Sequence, residues 1–152
     1  MAGYYKHIRA SLEKFCNDFR NGQVTAGNST NADIWNFDDF ADFEDLPKTD
    51  LIGPAELQIA NESGLTTGAV FLMITTHDDV GNVRLTNMID ELYTAVQPGT
   101  NIDLIHAETG NKLGNLKVMA DVMLQPVARN SKQRPLQGIF ISLGTDVHAP
   151  QP

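Results

Sequence analysis

The chain of 152 residues is long enough for one domain built around one hydrophobic core. Hydrophobic residues make up 41% of the chain and charged residues 20%, a balance that excludes wholesale disorder. Nineteen acidic residues against eleven lysines and arginines leave a formal charge of −8. This charge argues against a protein whose whole surface binds nucleic acid, since phosphate contacts need cations. One cysteine excludes an internal disulfide framework, and no apolar run suits a signal peptide or a membrane span, so we expect a soluble, cytosolic protein.

Residues 4–20 have a helical period. The apolar residues of this segment recur at spacings of three and four and form one stripe: Ile8, Leu12, Phe15, Cys16 and Phe19. Asn21-Gly22 ends the predicted helix, because glycine accepts the left-handed conformation that follows the last turn.

Residues 22–54 predict a long irregular acidic loop after this helix. Its first part is rich in Asn, Gly, Ser and Thr, and seven of the nineteen acidic residues lie between Asp33 and Asp50, opposed by Lys48 alone. A connection of this length inside a compact domain is unusual and is often functional.

The rest of the chain alternates strands with one helix. Period-two patterns and turn residues predict strands near 57–59, 69–76, 102–107, 116–125 and 136–143, and a helical stripe predicts a helix over 85–96. The order α-β-β-α-β-β-β, with hairpin-length turns between the later strands, predicts an α+β fold. In this fold a mainly antiparallel sheet carries two helices on one face. We expect residues 1–147 to form a single domain and 148–152 to form a loose tail.

The two periodicities also predict which residues form the core. The helices contribute Leu12, Phe15, Phe19, Leu85, Ile89 and Leu92. The facing sheet contributes Leu72, Ile74, Val118, Val122 and Phe140.

The strongest candidate for catalysis or metal binding is His77-Asp78-Asp79, at a predicted strand end. Three adjacent residues rarely converge on one ion, and His106 and Glu108 would have to be brought to them by folding. The alternative is that Asp78 or Asp79 caps the second helix. Cys16 lies on the apolar stripe of the first helix and is interpreted as a buried structural thiol. No phosphate-binding glycine loop or serine elbow is present, so we predict no enzyme, no cofactor and no metal.

An acidic-aromatic segment within the long loop is the predicted interaction site. Its candidate contact residues are Trp35, Phe37, Asp38, Asp39, Phe40, Asp42, Phe43, Glu44 and Asp45. Three readings stay open: a cover for the core edge, a docking segment with aromatic anchors, and an acidic decoy that mimics DNA. A predicted cationic loop holds Arg129, Lys132 and Arg134. Because opposite charges are segregated into these two segments, we expect the acidic segment to lie near the cationic loop of a neighbouring copy.

The arrangement resembles the tail terminator proteins of tailed bacteriophages. The similarity lies in the order of YKHIRASLEKF, a long stretch before FEDLP, ELQIA, AVFLMITTH, NVRLTNMIDELYTAV, NIDLIHAE and GIFISLGTDV, and it spans nearly the whole chain. It implies a ring of identical subunits, usually a hexamer, that caps the tail tube and joins it to the head-side connector. The implied partners are further copies, the tail tube protein and the connector. The implied location is the host cytoplasm during assembly and then the virion.

The resemblance also implies that DNA passes through the ring and is not specifically bound by the protein. An acidic lumen suits this passage because it repels the DNA phosphates. The alternatives are another neck or tail-completion protein, or a small acidic regulatory protein such as a DNA mimic. A metal-dependent hydrolase is the last alternative.

Overall fold

A computed structural model describes residues 4–20, 32–35, 49–62, 65–78, 81, 83–119, 122–126 and 136–147. These residues form two helices, α1 (Tyr4–Arg20) and α2 (Val83–Ala95). They also form seven strands: β1 (Asp33–Ile34), β2 (Leu51–Glu62), β3 (Leu65–Thr75), β4 (Asn101–Ile105), β5 (Lys112–Val118), β6 (Met123–Pro126) and β7 (Leu136–Val147). Within these ranges, neither helix is long and apolar enough to cross a membrane.

The strands form one mixed sheet in the order β1-β2-β3-β7-β5-β4. Only the short β1 runs parallel to its neighbour, and all other described pairs are antiparallel. Strand β7 is central, because β3 pairs along one side of it while β5 and β6 pair along successive parts of the other side. The predicted α+β class with a mainly antiparallel sheet is confirmed.

Both helices pack on the same face of the sheet, as predicted. Helix α1 lies against β2 and β4, and α2 lies against β3. One buried cluster joins the two helical stripes to the sheet. It includes all six predicted helical residues, together with Leu72, Ile74 and Val118, while Val122 is half-buried and packs against it.

A bulge in β2 keeps its apolar residues on the helix side. The register with β3 shifts between Ala55 and Gln58, and Glu56 has a positive φ of 55°. One extra residue reverses the facing of every later side chain. Ile52 before the bulge and Leu57 after it therefore belong to the same buried cluster, although five positions separate them.

Two predicted segments differ from the structure. The predicted loop over 22–54 contains β1 and the first residues of β2. The predicted long strand over 116–125 is divided into β5 and β6, because Val118 pairs with Leu143 and Met123 with Phe140. Val118 and Met123 are five positions apart, whereas their partners Leu143 and Phe140 are three apart, so the register shifts by two residues between β5 and β6.

The prediction that Phe140 faces the helices is wrong. Ile139 and Ile141 belong to the buried cluster under the helices, so Phe140 between them points to the opposite face. There its ring meets that of Phe71 edge-on, with the ring centroids 5.3 Å apart.

Asp50 joins the start of β2 to the segment between β3 and α2. Its carboxylate accepts the His77 backbone N–H at 2.9 Å and two Arg84 N–H groups at 3.0 and 3.1 Å. Arg84 also donates to the His77 carbonyl at 2.6 Å. A two-point arginine contact fixes geometry as well as charge, so this clamp sets where α2 begins.

We expect Asp50→Ala to lower the free energy of unfolding by about 1–3 kcal/mol, because it removes an acceptor shared by three donors. Urea denaturation measures this change. Asp103→Ala is the matched control, since Asp103 forms an exposed ion pair with Lys112 at 3.2 Å and such pairs contribute about 0–1 kcal/mol. Equal losses in the two variants would contradict a structural role for the clamp.

Candidate functional site

Of the predicted interaction residues, Trp35 alone lies within the described residues. It follows β1 directly, and its backbone N–H donates to the Ile52 carbonyl at 2.9 Å. The half-buried indole packs against a small cluster of Leu51, Ala55 and Met73. Its Nε1 is buried, and no hydrogen-bond partner for it exists among the described residues.

The remaining predicted contact residues lie outside the described residues. They are Phe37, Asp38, Asp39, Phe40, Asp42, Phe43, Glu44 and Asp45 in the acidic segment and Arg129, Lys132 and Arg134 in the cationic loop. Asp79 of the sequence candidate His77-Asp78-Asp79 lies outside them as well.

Trp35 belongs to an apolar surface that sequence reasoning did not predict. The face of the sheet opposite the helices, called here the outer apolar face, carries Trp35, Leu51, Ala55, Phe71, Met73, Met119, Met123 and Phe140. Leu51, Ala55 and Met73 are buried, and Phe71 and Trp35 pack against them.

The end of this face near β6 is open. Met123 pairs with Phe140 across β6 and β7, so both side chains lie on the outer apolar face. Met119 reaches across the backbone of Gly144, where an added Cβ would come within 3.2 Å of its sulfur. Met119 and Met123 are each 46% exposed.

An antiparallel sheet that packs helices on one face usually presents polar side chains to water on the other. Methionines are adaptable apolar contacts and are common where one protein binds another. The exposed part of the outer apolar face, which Met119 and Met123 form, is therefore suited to contact with another protein.

A polar cluster lies at the other end of the sheet, where α1 meets the turn between β4 and β5. His7 is buried, and its ring lies 4.4 Å from that of His106 at an angle of 39°. Glu108 pairs with Lys6 of α1, and the Lys6 hydrogen bond lowers the pKa of this carboxyl. The sequence analysis considered His106 and Glu108 only as additions to His77, and it missed His7.

His7, His106 and Glu108 are the one group among the described residues close enough to share a metal ion, with one ligand atom each within 4.8 Å of the others. The hydrogen bonds of the His7 ring do not suit a metal ion. The Ala107 N–H donates to His7 Nδ1 at 2.9 Å, and the Glu108 N–H lies 3.2 Å from His106 Nδ1. A neutral imidazole that accepts at Nδ1 carries its proton on Nε2, so neither nitrogen of His7 has a lone pair free for metal.

The other chemical candidates have structural partners. His77 Nε2 lies 3.3 Å from the Asp78 carboxylate. The expected helix cap Asp78 lies outside the first turn of α2, which contains no acidic residue. Cys16 is buried, and burial together with the Glu13 charge raises the pKa of its thiol to about 12. It is therefore a neutral thiol rather than a nucleophile near neutral pH.

No protein-family model matches the chain, and no curated protein matches it. The functional inference therefore depends on the residues of the chain and on the surfaces of its sheet.

Proposed function

We propose that the protein is a virion assembly protein of tailed bacteriophages. In this proposal it is a tail terminator, which caps the tail tube as a ring of identical subunits and joins it to the head-side connector. It would act in the host cytoplasm during assembly and remain in the virion. The similarity in the order of sequence elements led to this proposal, and the outer apolar face is the structural observation that supports it best.

The outer apolar face supports self-assembly for a physical reason. Met119 and Met123 leave apolar surface in water on the same face of the sheet as the buried Leu51, Ala55 and Met73. Burying such surface against another subunit contributes about 25 cal/mol for each Å² removed from water. An assembly protein benefits from this contact, whereas a monomer gains nothing from exposing it.

Charge would set the register of the subunits in this proposal. The acidic segment and the cationic loop would meet across neighbouring copies, with the aromatic residues of the acidic segment as anchors. Exposed ion pairs are each worth about 0–1 kcal/mol, so the apolar contact has to supply most of the affinity. Assembly should therefore weaken, without disappearing, when salt is raised to about 0.5 M.

The test is the size of the full chain in solution between about 1 µM and 1 mM, a range that covers weak association. Analytical ultracentrifugation should detect a closed oligomer, and negative-stain microscopy should show rings. Met123→Glu should raise the dissociation constant at least about tenfold, because it puts a charge in an apolar contact. Asn87→Glu on the exposed side of α2 is the matched control and should assemble like the wild type.

A chain that stays monomeric over the whole range would contradict the proposal. If that monomer also displaced DNA from a nucleic-acid enzyme, the alternative of a small acidic inhibitor would replace it. If the Met123 and Asn87 variants assembled equally well, the outer apolar face would not be part of the interface between subunits.

A further inference from the structure

The contact between α1 and the end of β4 has a feature that does not depend on the proposed function. Strand β4 is the last strand in the sheet order, and α1 packs against it. The Ile105 N–H donates to Ser11 Oγ at 2.9 Å, and the Ala107 N–H donates to His7 Nδ1 at 2.9 Å. These four residues are called here the α1–β4 latch.

The spacing of the latch follows from the geometry of its two elements. Residues four apart in a helix are about 6 Å apart along its axis, and Ala107 lies in the turn that begins two residues after Ile105, the last residue of β4. Ser11 accepts from the Ile105 amide, and His7, one turn earlier in α1, accepts from the Ala107 amide. The helix satisfies donors that an uncovered edge would leave available to another chain.

The two acceptors of the latch differ in their response to acid. The Ser11 hydroxyl does not titrate near neutral pH, and it also donates to the His7 carbonyl at 2.7 Å. His7 accepts at Nδ1, which is the nitrogen that gains a proton when the neutral ring becomes charged. Protonation would turn this acceptor into a donor that faces the Ala107 N–H, so the charged ring and the latch bond exclude each other.

The groups around His7 include three that carry or can carry charge: Lys6 on α1, and His106 and Glu108 on the turn after β4. Burial lowers the pKa of His7 most, His106 and Lys6 lower it further, and Glu108 opposes them. His106 differs from His7 in that its Nδ1 lies beside a carboxylate. The Nδ1 atom of His106 lies 3.2 Å from the Glu108 N–H and 3.1 Å from the Glu108 carboxylate.

We infer that the α1–β4 latch is a proton-sensitive switch, in which protonation of His7 releases the start of α1 from the end of β4. Release uncovers the Ala107 amide in the turn that follows β4, while Ser11 keeps its bond to the Ile105 amide at the end of β4. The device opens the contact between α1 and the turn after β4 in acid and keeps it closed near neutral pH.

The sign of the effect follows from linkage. In the released state the His7 pKa returns toward its ordinary value of 6.5, while in the closed state it is lower. The latch therefore keeps its full stability above about pH 6.5 and loses it as the pH falls below that value. At pH 5 the opening equilibrium rises by up to about 30-fold, the bound that full retention of the neutral ring in the closed state would give.

Amide hydrogen exchange of the full chain at pH 7.5 and pH 5, corrected for the intrinsic exchange rates, tests the inference. In the wild type, protection of the Ala107 amide should fall at pH 5. His7→Gln keeps a side-chain acceptor but does not titrate, so its Ala107 protection should be the same at both pH values. Ser11→Ala is the matched control, and it should lose Ile105 protection equally at both pH values.

Two results would overturn the inference. One is a change of less than about twofold in wild-type Ala107 protection between the two pH values. The other is an equal fall in the wild type and in His7→Gln. If His7→Gln fails to fold, nitrogen NMR of the wild-type ring decides instead. The switch requires a neutral His7 with its proton on Nε2, and a proton on Nδ1 at pH 7.5 would refute it.

Discussion

We expect Phe19→Ala to lower the free energy of unfolding by about 3–5 kcal/mol, the range for a fully buried phenylalanine. Phe19 has no solvent exposure and lies in the cluster between α1 and the sheet. Its removal takes apolar contacts from the last turns of α1 and leaves a cavity that backbone relaxation only partly fills. Urea or thermal unfolding, monitored by circular dichroism, measures the loss.

Tyr5→Ala is the matched control on the same helix. The Tyr5 side chain is 49% exposed, so its loss should cost well under half as much. If both variants lost the same stability, the orientation of α1 on the sheet would be wrong.

The second large effect is expected from Ile89→Ala, at about 2–5 kcal/mol. Ile89 is 7% exposed and lies on the buried stripe of α2 with Leu85 and Leu92. Asp90→Ala is the control, because Asp90 is the exposed neighbour on the same helix. A loss well under 1 kcal/mol for Ile89→Ala would mean that α2 is rotated away from the sheet.

The surroundings of Ile89 place its effect below that of Phe19. Ile89 lines a groove of about 300 Å³ between α2 and β6, which Tyr93, Leu124 and Gln137 also border. Side chains beside an open groove can move into the space that a truncation leaves, and the cost falls with the volume that stays empty. We therefore expect the lower half of the range.

The helices and the core were predictable because the apolar residues of each helix can all be buried in only one orientation. In α1 the apolar residues occupy a single stripe, so only one orientation buries them all. Strand β7 shows the opposite case. Ile139, Phe140 and Ile141 are all apolar, and alternation cannot decide which face of such a run meets the core. Packing decided it, and Phe140 lies on the outer apolar face with Phe71.

The candidate sites were less predictable because they depend on long-range pairing. Trp35 was predicted as a contact residue from its acidic-aromatic surroundings; it packs on the outer apolar face, and its role as a contact residue stays a prediction. His7 was missed because its partner Ala107 is 100 positions away in sequence. One local signal existed, since His7 and Ser11 stand four apart at the margin of the apolar stripe of α1. Polar residues at such a margin need buried partners, but the sequence does not identify them.

The central position of β7 has a consequence for synthesis of the protein. Strands β2 and β3 pair with each other, and so do β4 and β5, but among the described strands only β7 joins these two pairs into one sheet. A ribosome makes β7 after all of them. The two hairpins must therefore wait with unpaired inner edges until the last strand emerges, and the chain is open to pairing with other nascent chains during that interval.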